Sequence, residues 1–262
     1  MTAFTMERVD SYRSAEELCP AARAMELQSF RDYLGSGSEK RVLELGSGNG
    51  TLTRCLREIG WTVDTVDIAF QAPPEARRHH AADIADGLGF LPKDAAYDAV
   101  VSLAVLHHVA ACPRRLPDNL ANDLAAVTRP GGILMLQDVP TPRVLPSLDA
   151  NPDDGYFAAA NTARIFAELV DPHSEPTHNG IYIEMAAIGA QLADEFAHLA
   201  RFHHRCDWNF PNEEIAARYV QALFHLNLSL AEVAAVIGPT LQPAEPGLRL
   251  PWALDCLVMQ RL

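Results

Sequence analysis

Residues 42–53 read VLELGSGNGTLT. An apolar run carries one carboxylate, Glu44, and three glycines follow at every second position: Gly46, Gly48 and Gly50. Glycine at this density lets a backbone turn sharply and come close to a ligand, and a helix beginning just beyond aims its N–H groups at that ligand. What the loop lacks narrows the ligand. Its spacing is GxGxG, not the GxGxxG of dinucleotide loops; Thr51 stands where the third glycine would fall, and the GxxxxGK pattern of a phosphate loop is absent. Glu44 would repel a pyrophosphate and favour a cation. The expected ligand is therefore positively charged and free of phosphate. Further groups able to do chemistry are Asp67 in VDTVDIA, Asp83 and Asp86 in AADIADGLGF, the pair His107 and His108, and Asp138 at the end of ILMLQD.

Such residues need a frame, and the chain supplies a periodic one. RVLEL (41–45) reads as a short apolar strand, 50–60 as an amphipathic helix closed by Gly60, and WTVDTVDI (61–68) as a second strand. A weaker strand at 79–84, a strong buried one at 97–106, a helix at 116–132 stopped by Pro-Gly-Gly, and a strand at 132–139 continue the alternation. Short β-rich runs alternating with helices imply a parallel sheet covered on both faces. Before it, residues 14–34 look helical, with Ser14 and Glu17 as a capping box, a second segment starting at Pro20 and an end at Gly35. After Pro140 the rhythm breaks into a proline- and acid-rich loop, then helical patterns at 156–170 and 184–204. Asn212 reads as the cap of a helix returning to the core at 212–226, residues 228–237 are ambiguous between helix and strand, and the last twelve residues read as a terminal strand. Four regions are expected: an N-terminal helical lid (1–40), the core (41–140), an inserted helical cap (141–211), and closing elements (212–262).

With VLELGSGNG, the acid at the end of the second strand, the acid after the third, the AVLHHV run and the TRPGG turn (128–132) in this order, residues 41–139 resemble the class I S-adenosylmethionine-dependent methyltransferases. The resemblance implies an α/β, Rossmann-like, doubly wound and mostly parallel sheet. It also implies S-adenosylmethionine (SAM) as cofactor, a nucleoside that carries a sulfonium and an ammonium but no phosphate. It assigns cofactor contacts to Glu44, Gly46, Ser47, Gly48, Gly50, Asp67, Ile68, Asp83, Ile84 and Ser102, with Asp67 on the ribose hydroxyls and Asp83 near the adenine amino group. The sulfonium carries the reactivity, so the protein's part is alignment and desolvation.

On the acceptor side, catalytic candidates are His107, His108, Asp138 and Tyr182, and substrate contacts are expected from Tyr12, Tyr156, Asn161, Asn179 and Glu184. FHHRCDW (202–208) invites a metal reading, but the clean ligand spacings are missing and no metal is expected. Two alternatives stay open beside methyl transfer to a small metabolite. One is intramolecular attack of the cofactor's amine on its own γ-carbon, giving azetidine-2-carboxylate and methylthioadenosine, as in methyltransferase-like azetidine-2-carboxylate synthases. The other is a module that binds the cofactor without chemistry. The net charge of −13 and the lack of a basic stripe argue against nucleic acid and anionic membrane surfaces as partners. The polar, acidic N-terminus and the scattered cysteines (19, 55, 112, 206, 256), without a CxxC, suggest a cytoplasmic protein with reduced thiols.

Overall fold

The computed structural model describes residues 6–68, 71–92, 95–110, 112–140, 156–174 and 182–262. The chain divides into two compact units. The sheet unit holds Leu27–Val139, Tyr182–His203 and Asp255–Leu262; the accessory unit holds Met1–Glu26, Pro140–Ile181 and His204–Leu254.

The sheet unit is built on β1 (Arg41–Leu45), β2 (Thr62–Asp67), β3 (Arg78–Ala81), β4 (Tyr97–Leu103), β5 (Thr128–Asp138), β6 (Phe196–Arg205) and β10 (Ala253–Arg261). These strands form one sheet in the order β3-β2-β1-β4-β5-β10-β6. Pairing is parallel from β3 to β5 and antiparallel between β10 and β5. The carboxyl ends of β1 to β5 therefore share one edge. The chain leaves β1 toward β2 on one side and later returns to β4 on the other, which opens the crevice where ligands of such sheets bind. Helices α2 (Gln28–Leu34) and α3 (Thr51–Glu58) cover one face: Phe30, Leu34, Leu52 and Leu56 pack with Val42, Val63, Val101, Met135 and Val258 in a single core cluster. Short α4 (Leu106–Val109), α5 (Asp118–Val127) and α7 (Met185–Leu192) complete the helices of this unit.

The accessory unit contains α1 (Met6–Leu18), α6 (Tyr156–Ile165), α8 (Glu213–Leu223), α9 (Leu230–Ile237) and a small antiparallel sheet in the order β7-β9-β8 (Trp208–Phe210, Leu248–Leu250, Gln242–Pro243). Its centre is aromatic: Trp208 lies within 6.4 Å, ring to ring, of Phe166, Tyr219, Phe224 and Trp252.

The expected sheet and the doubly wound order are present. Three local expectations are corrected and one ambiguity is resolved. Residues 196–205, expected within the second helix of the insert, form β6. The helix ends at Leu192, and alternation in FAHLARFHHR lets the segment hydrogen-bond to β10 instead. The two helical segments expected over 14–34 are present, but the first, α1, begins before Ser14, which lies inside it; the Ser14 hydroxyl donates to the Asp10 carbonyl, so it caps nothing. The segment 212–226, capped by Asn212 as expected, belongs to the accessory unit and not to the sheet's helices. The ambiguous 228–237 is α9, begun by a capping box of Ser229 and Glu232. No helix among the described residues is long and apolar enough to cross a membrane.

Candidate functional site

At the carboxyl edge of the sheet, β1 leads into the glycine loop. Gly46, Gly48 and Gly50 all have positive φ, 70°, 50° and 84°. A side chain at Gly46 would strike Val105, and one at Gly50 would strike Pro73, but at Gly48 it would meet nothing within 4 Å. Gly48 therefore faces open space. Its N–H donates to Asp67 Oδ2 at 2.8 Å, which ties the end of β2 to the loop. Gly50 opens α3, and Thr53 on the buried side of that helix donates to Glu44 Oε2 at 2.6 Å.

Glu44 is buried, and among the described residues it has no cationic partner. Burial pushes its carboxyl up to about 8, against the opposing hydrogen bond from Thr53 and with help from nearby Asp67. A group held this way is neutral at neutral pH unless a cation arrives. Two hydroxyls at the same edge, Ser47 Oγ and Ser102 Oγ, are buried without a hydrogen-bond partner. Ser102 pairs with Leu45 across β1 and β4, so both hydroxyls lie where the crevice opens. Buried polar atoms are nearly always satisfied, so such orphans point to a missing ligand or water. Asp83 caps the turn Ile84–Asp86 by accepting from Ala85 N at 2.8 Å, Ile84 is buried, and Ile68 follows β2 half-buried.

Beyond β4 the chain bends at Ala104, with φ 53°, into α4. His107 Nδ1 donates to Asp138 Oδ1 at 2.6 Å. Asp138 is fully buried, and its other contacts are the backbone N–H groups of Leu106, His107 and Val139. It thus fixes both the start of α4 and the His107 ring. The His108 ring lies 4.0 Å from that of His107. Ile183 N donates to Val139 O and Glu184 N to Pro113 O, which holds Tyr182 and Glu184 in the sheet unit. The Glu184 carboxylate pairs with Arg114 at 3.2 Å.

The structure thus gathers the expected cofactor residues and His107, His108, Asp138, Tyr182 and Glu184 in the sheet unit. Tyr12, Tyr156 and Asn161 fall in the accessory unit, and Asn179 lies outside the described residues. Tyr156 opens α6, and Asn161 accepts from Arg164 at 3.1 Å. The Tyr12 hydroxyl is bonded by Arg23, and burial pushes it up to about 12. Among the described residues no group of three His, Cys, Asp or Glu could hold a metal ion, and His203 and His204 alternate along β6. Sequence reasoning missed Thr53, Val105 and Ala104. A threonine among the apolar positions Leu52, Cys55 and Leu56 of α3 was the available signal for the first; the other two had none.

The order of strands and the glycine loop at the crevice are those of the class I methyltransferase fold. The family model described as a methyltransferase domain matches residues 20–182, more than half of the chain, and the chain belongs to that family. An uncharacterized methyltransferase of Staphylococcus carnosus (strain TM300) is 32% identical over 104 residues, 39% of this chain. The chain spans about half, 49%, of that relative. Among solved structures, a candidate methyltransferase from Bacillus halodurans C-125 superposes with a TM-score of 0.54 at 12% identity, covering 90% of this chain and 97% of the other. A cyclopropane-fatty-acyl-phospholipid synthase-like protein from Lactobacillus casei ATCC 334 gives 0.53 at 16%, covering 98% and 100%. At these identities both superpositions speak for the fold alone.

Proposed function

We propose that the protein methylates a small metabolite, at nitrogen, oxygen or carbon, and that the cofactor is held by the edge formed by β1, β2 and β4. The observation that carries this reading is Glu44, a buried carboxyl with no cation among the described residues, beside a loop whose central glycine faces open space. When bound, SAM supplies an electrophilic methyl group on a sulfonium. Glu44 then serves the ammonium side, directly or through water. Gly48 allows backbone approach, Asp67 accepts from ribose hydroxyls, Ser47 and Ser102 satisfy their orphaned hydroxyls, and Asp83 with Ile84 borders the adenine. Asp138 holds Nδ1 of His107, which leaves Nε2 as the ring atom able to take a proton from an acceptor. The acidic charge supports a small acceptor over a nucleic acid.

Calorimetry with SAM tests the cofactor site. The wild type binds, and Gly48→Ala weakens binding at least about tenfold, because the added methyl fills the open face; equal binding by both would place the cofactor elsewhere. Incubation with SAM, with and without candidate metabolites, tests the reaction. S-adenosylhomocysteine formed only with an acceptor supports transfer, and methylthioadenosine formed from SAM alone overturns it in favour of ring closure. If His107 takes the proton, His107→Gln lowers kcat while binding SAM normally. An unchanged kcat excludes the role.

A further inference from the structure

The opposite edge of the same strands carries a second cavity, of about 150 Å³, lined by Arg41, Arg77, Arg78, His80 and Tyr97. Arg41 begins β1, Arg78 begins β3 and Tyr97 begins β4, so the cavity lies at the amino edge. On β1 it is three residues, about 10 Å at the rise of a strand, from Glu44. Three of these residues converge on Asp64 of β2, which is buried. Arg77 grips both oxygens of Asp64, at 2.8 and 2.5 Å, and Tyr97 donates to Oδ2 at 3.0 Å. That already satisfies one carboxylate. Yet Arg41 reaches the same Oδ2 at 3.2 Å while its guanidinium lies 4.8 Å from the centre of the Tyr97 ring, and its Nε is buried with no hydrogen-bond partner. Arg78 is exposed and makes no ion pair among the described residues. Among the described residues, three guanidinium groups meet one carboxylate here, an excess of positive charge in a chain whose net charge is −13; the neighbouring Asp98 pairs with Arg129.

We propose that this cavity binds a small dianionic oxyanion: phosphate, free or as the monoester of a metabolite. Arginine forks match the planar pairs of oxygens such a group presents, and a dianion balances the excess charge. The orphaned Arg41 Nε gains its acceptor, Arg78 supplies the outer contact, and His80, whose proton affinity burial lowers, is a neutral neighbour. His80 pairs with Val66 and so reaches toward the carboxyl edge, but none of the lining residues is one assigned to the cofactor, so the proposal is tested apart from the methyltransferase reading.

The test is a thermal-melt titration of the whole chain with sodium phosphate, with sodium chloride added to hold ionic strength constant. A saturable rise in melting temperature with a millimolar midpoint, a midpoint at least fivefold higher in Arg78→Gln, and unchanged SAM affinity in that variant support the site. Arg41→Lys, which keeps the charge but removes Nε, also raises the midpoint. Glycerol 3-phosphate in place of phosphate separates the sources: a lower midpoint assigns a phosphorylated metabolite, and an equal or higher one assigns free phosphate. No saturable response beyond chloride, or wild-type midpoints in both variants, overturns the proposal.

Discussion

Two carboxylates one register position apart on neighbouring strands, and so on opposite faces of the sheet, make an instructive pair. Glu44 on β1 and Asp64 on β2 are almost equally buried, 2% and 1% exposed. Burial raises the proton affinity of both. For Asp64 the hydrogen bonds from Arg77, Arg41 and Tyr97 outweigh burial and hold the carboxyl below its ordinary value. For Glu44 the only side-chain donor among the described residues is Thr53, and burial raises the group to about 8. The chain completes one charge with its own cations and leaves the other incomplete. A buried, uncompensated carboxylate costs several kcal/mol, so its persistence beside an open glycine loop is intelligible if a cationic ligand completes it.

The largest expected loss of stability falls on the completed partner. Asp64→Asn leaves Arg77 and Arg41 packed against a neutral amide, and removing one member of a buried pair is strongly destabilising; denaturant unfolding at pH 7 should show a loss of about 3 kcal/mol. The sign with pH follows from the lowered carboxyl. Its stabilisation is present above the unfolded value of 3.8 and is lost as pH falls through the lower folded value, so the two proteins converge only in acid. A loss under about 0.5 kcal/mol would erase the contrast with Glu44.

The incomplete carboxylate should respond in the opposite direction. Because its folded value, about 8, lies above the unfolded 4.5, its contribution to stability is fully present below pH 4.5 and disappears as pH rises toward 8. Glu44→Gln removes that dependence while keeping an acceptor for Thr53. The variant should match the wild type near pH 4 and exceed it by up to about 5 kcal/mol at pH 9, the span from 4.5 to about 8 converting at about 1.4 kcal/mol per pH unit. Without cofactor it is the more stable protein, and with SAM it is the poorer binder. Wild-type binding at pH 7 should also release a proton, visible as a buffer-dependent calorimetric enthalpy that the variant lacks. Parallel stability curves for the two proteins would show that Glu44 is not desolvated as described.

Why one edge was readable in the sequence and the other was not follows from where their signals lie. The carboxyl edge is written locally: three glycines in five residues, an acid two positions before them, and Asp67 at the end of an apolar run. Its supporting contacts, Thr53 to Glu44 and Asp138 to His107, join residues 9 and 31 apart and needed the fold. The amino edge has no motif. Arg41, Asp64 and Arg77 are scattered, and only parallel pairing of β1, β2 and β3 brings them together. β6 was hidden for a similar reason. Alanine-rich AAIGAQLADEFAHLARF carries a helical period, no glycine or proline marks the turn after Leu192, and the strand depends on pairing with β10, more than forty residues later. The accessory unit was legible as helices but not as a unit, because α1 and α8 meet across two hundred residues; Ser11 donating to the Ala222 carbonyl at 2.7 Å is one such contact.

The smallest expected effect concerns backbone strain, which both edges share. Glu39 before β1 has φ 62° and Ala104 after β4 has φ 53°, the left-handed region that disfavours a side chain. At Ala104 the bend has a consequence for the site. Its N–H donates to Gln137 O at 2.8 Å, and the next residue, Val105, is carried to where a side chain on Gly46 would fall, 2.3 Å away. The strained residue therefore helps to seat the glycine loop. Ala104→Gly relieves about 1–2 kcal/mol of left-handed strain and returns about 0.4–1 kcal/mol as added freedom of the unfolded chain. The net is a gain of about 0.5 kcal/mol, readable as a small rise in denaturant midpoint. SAM affinity should stay within about twofold, since the hydrogen bond to Gln137 still places Val105. A fall in affinity with the stability gain intact would mean that the alanine methyl, and not the bend alone, keeps Val105 against Gly46. The loop would then owe its shape to strain that a more stable sequence gives up.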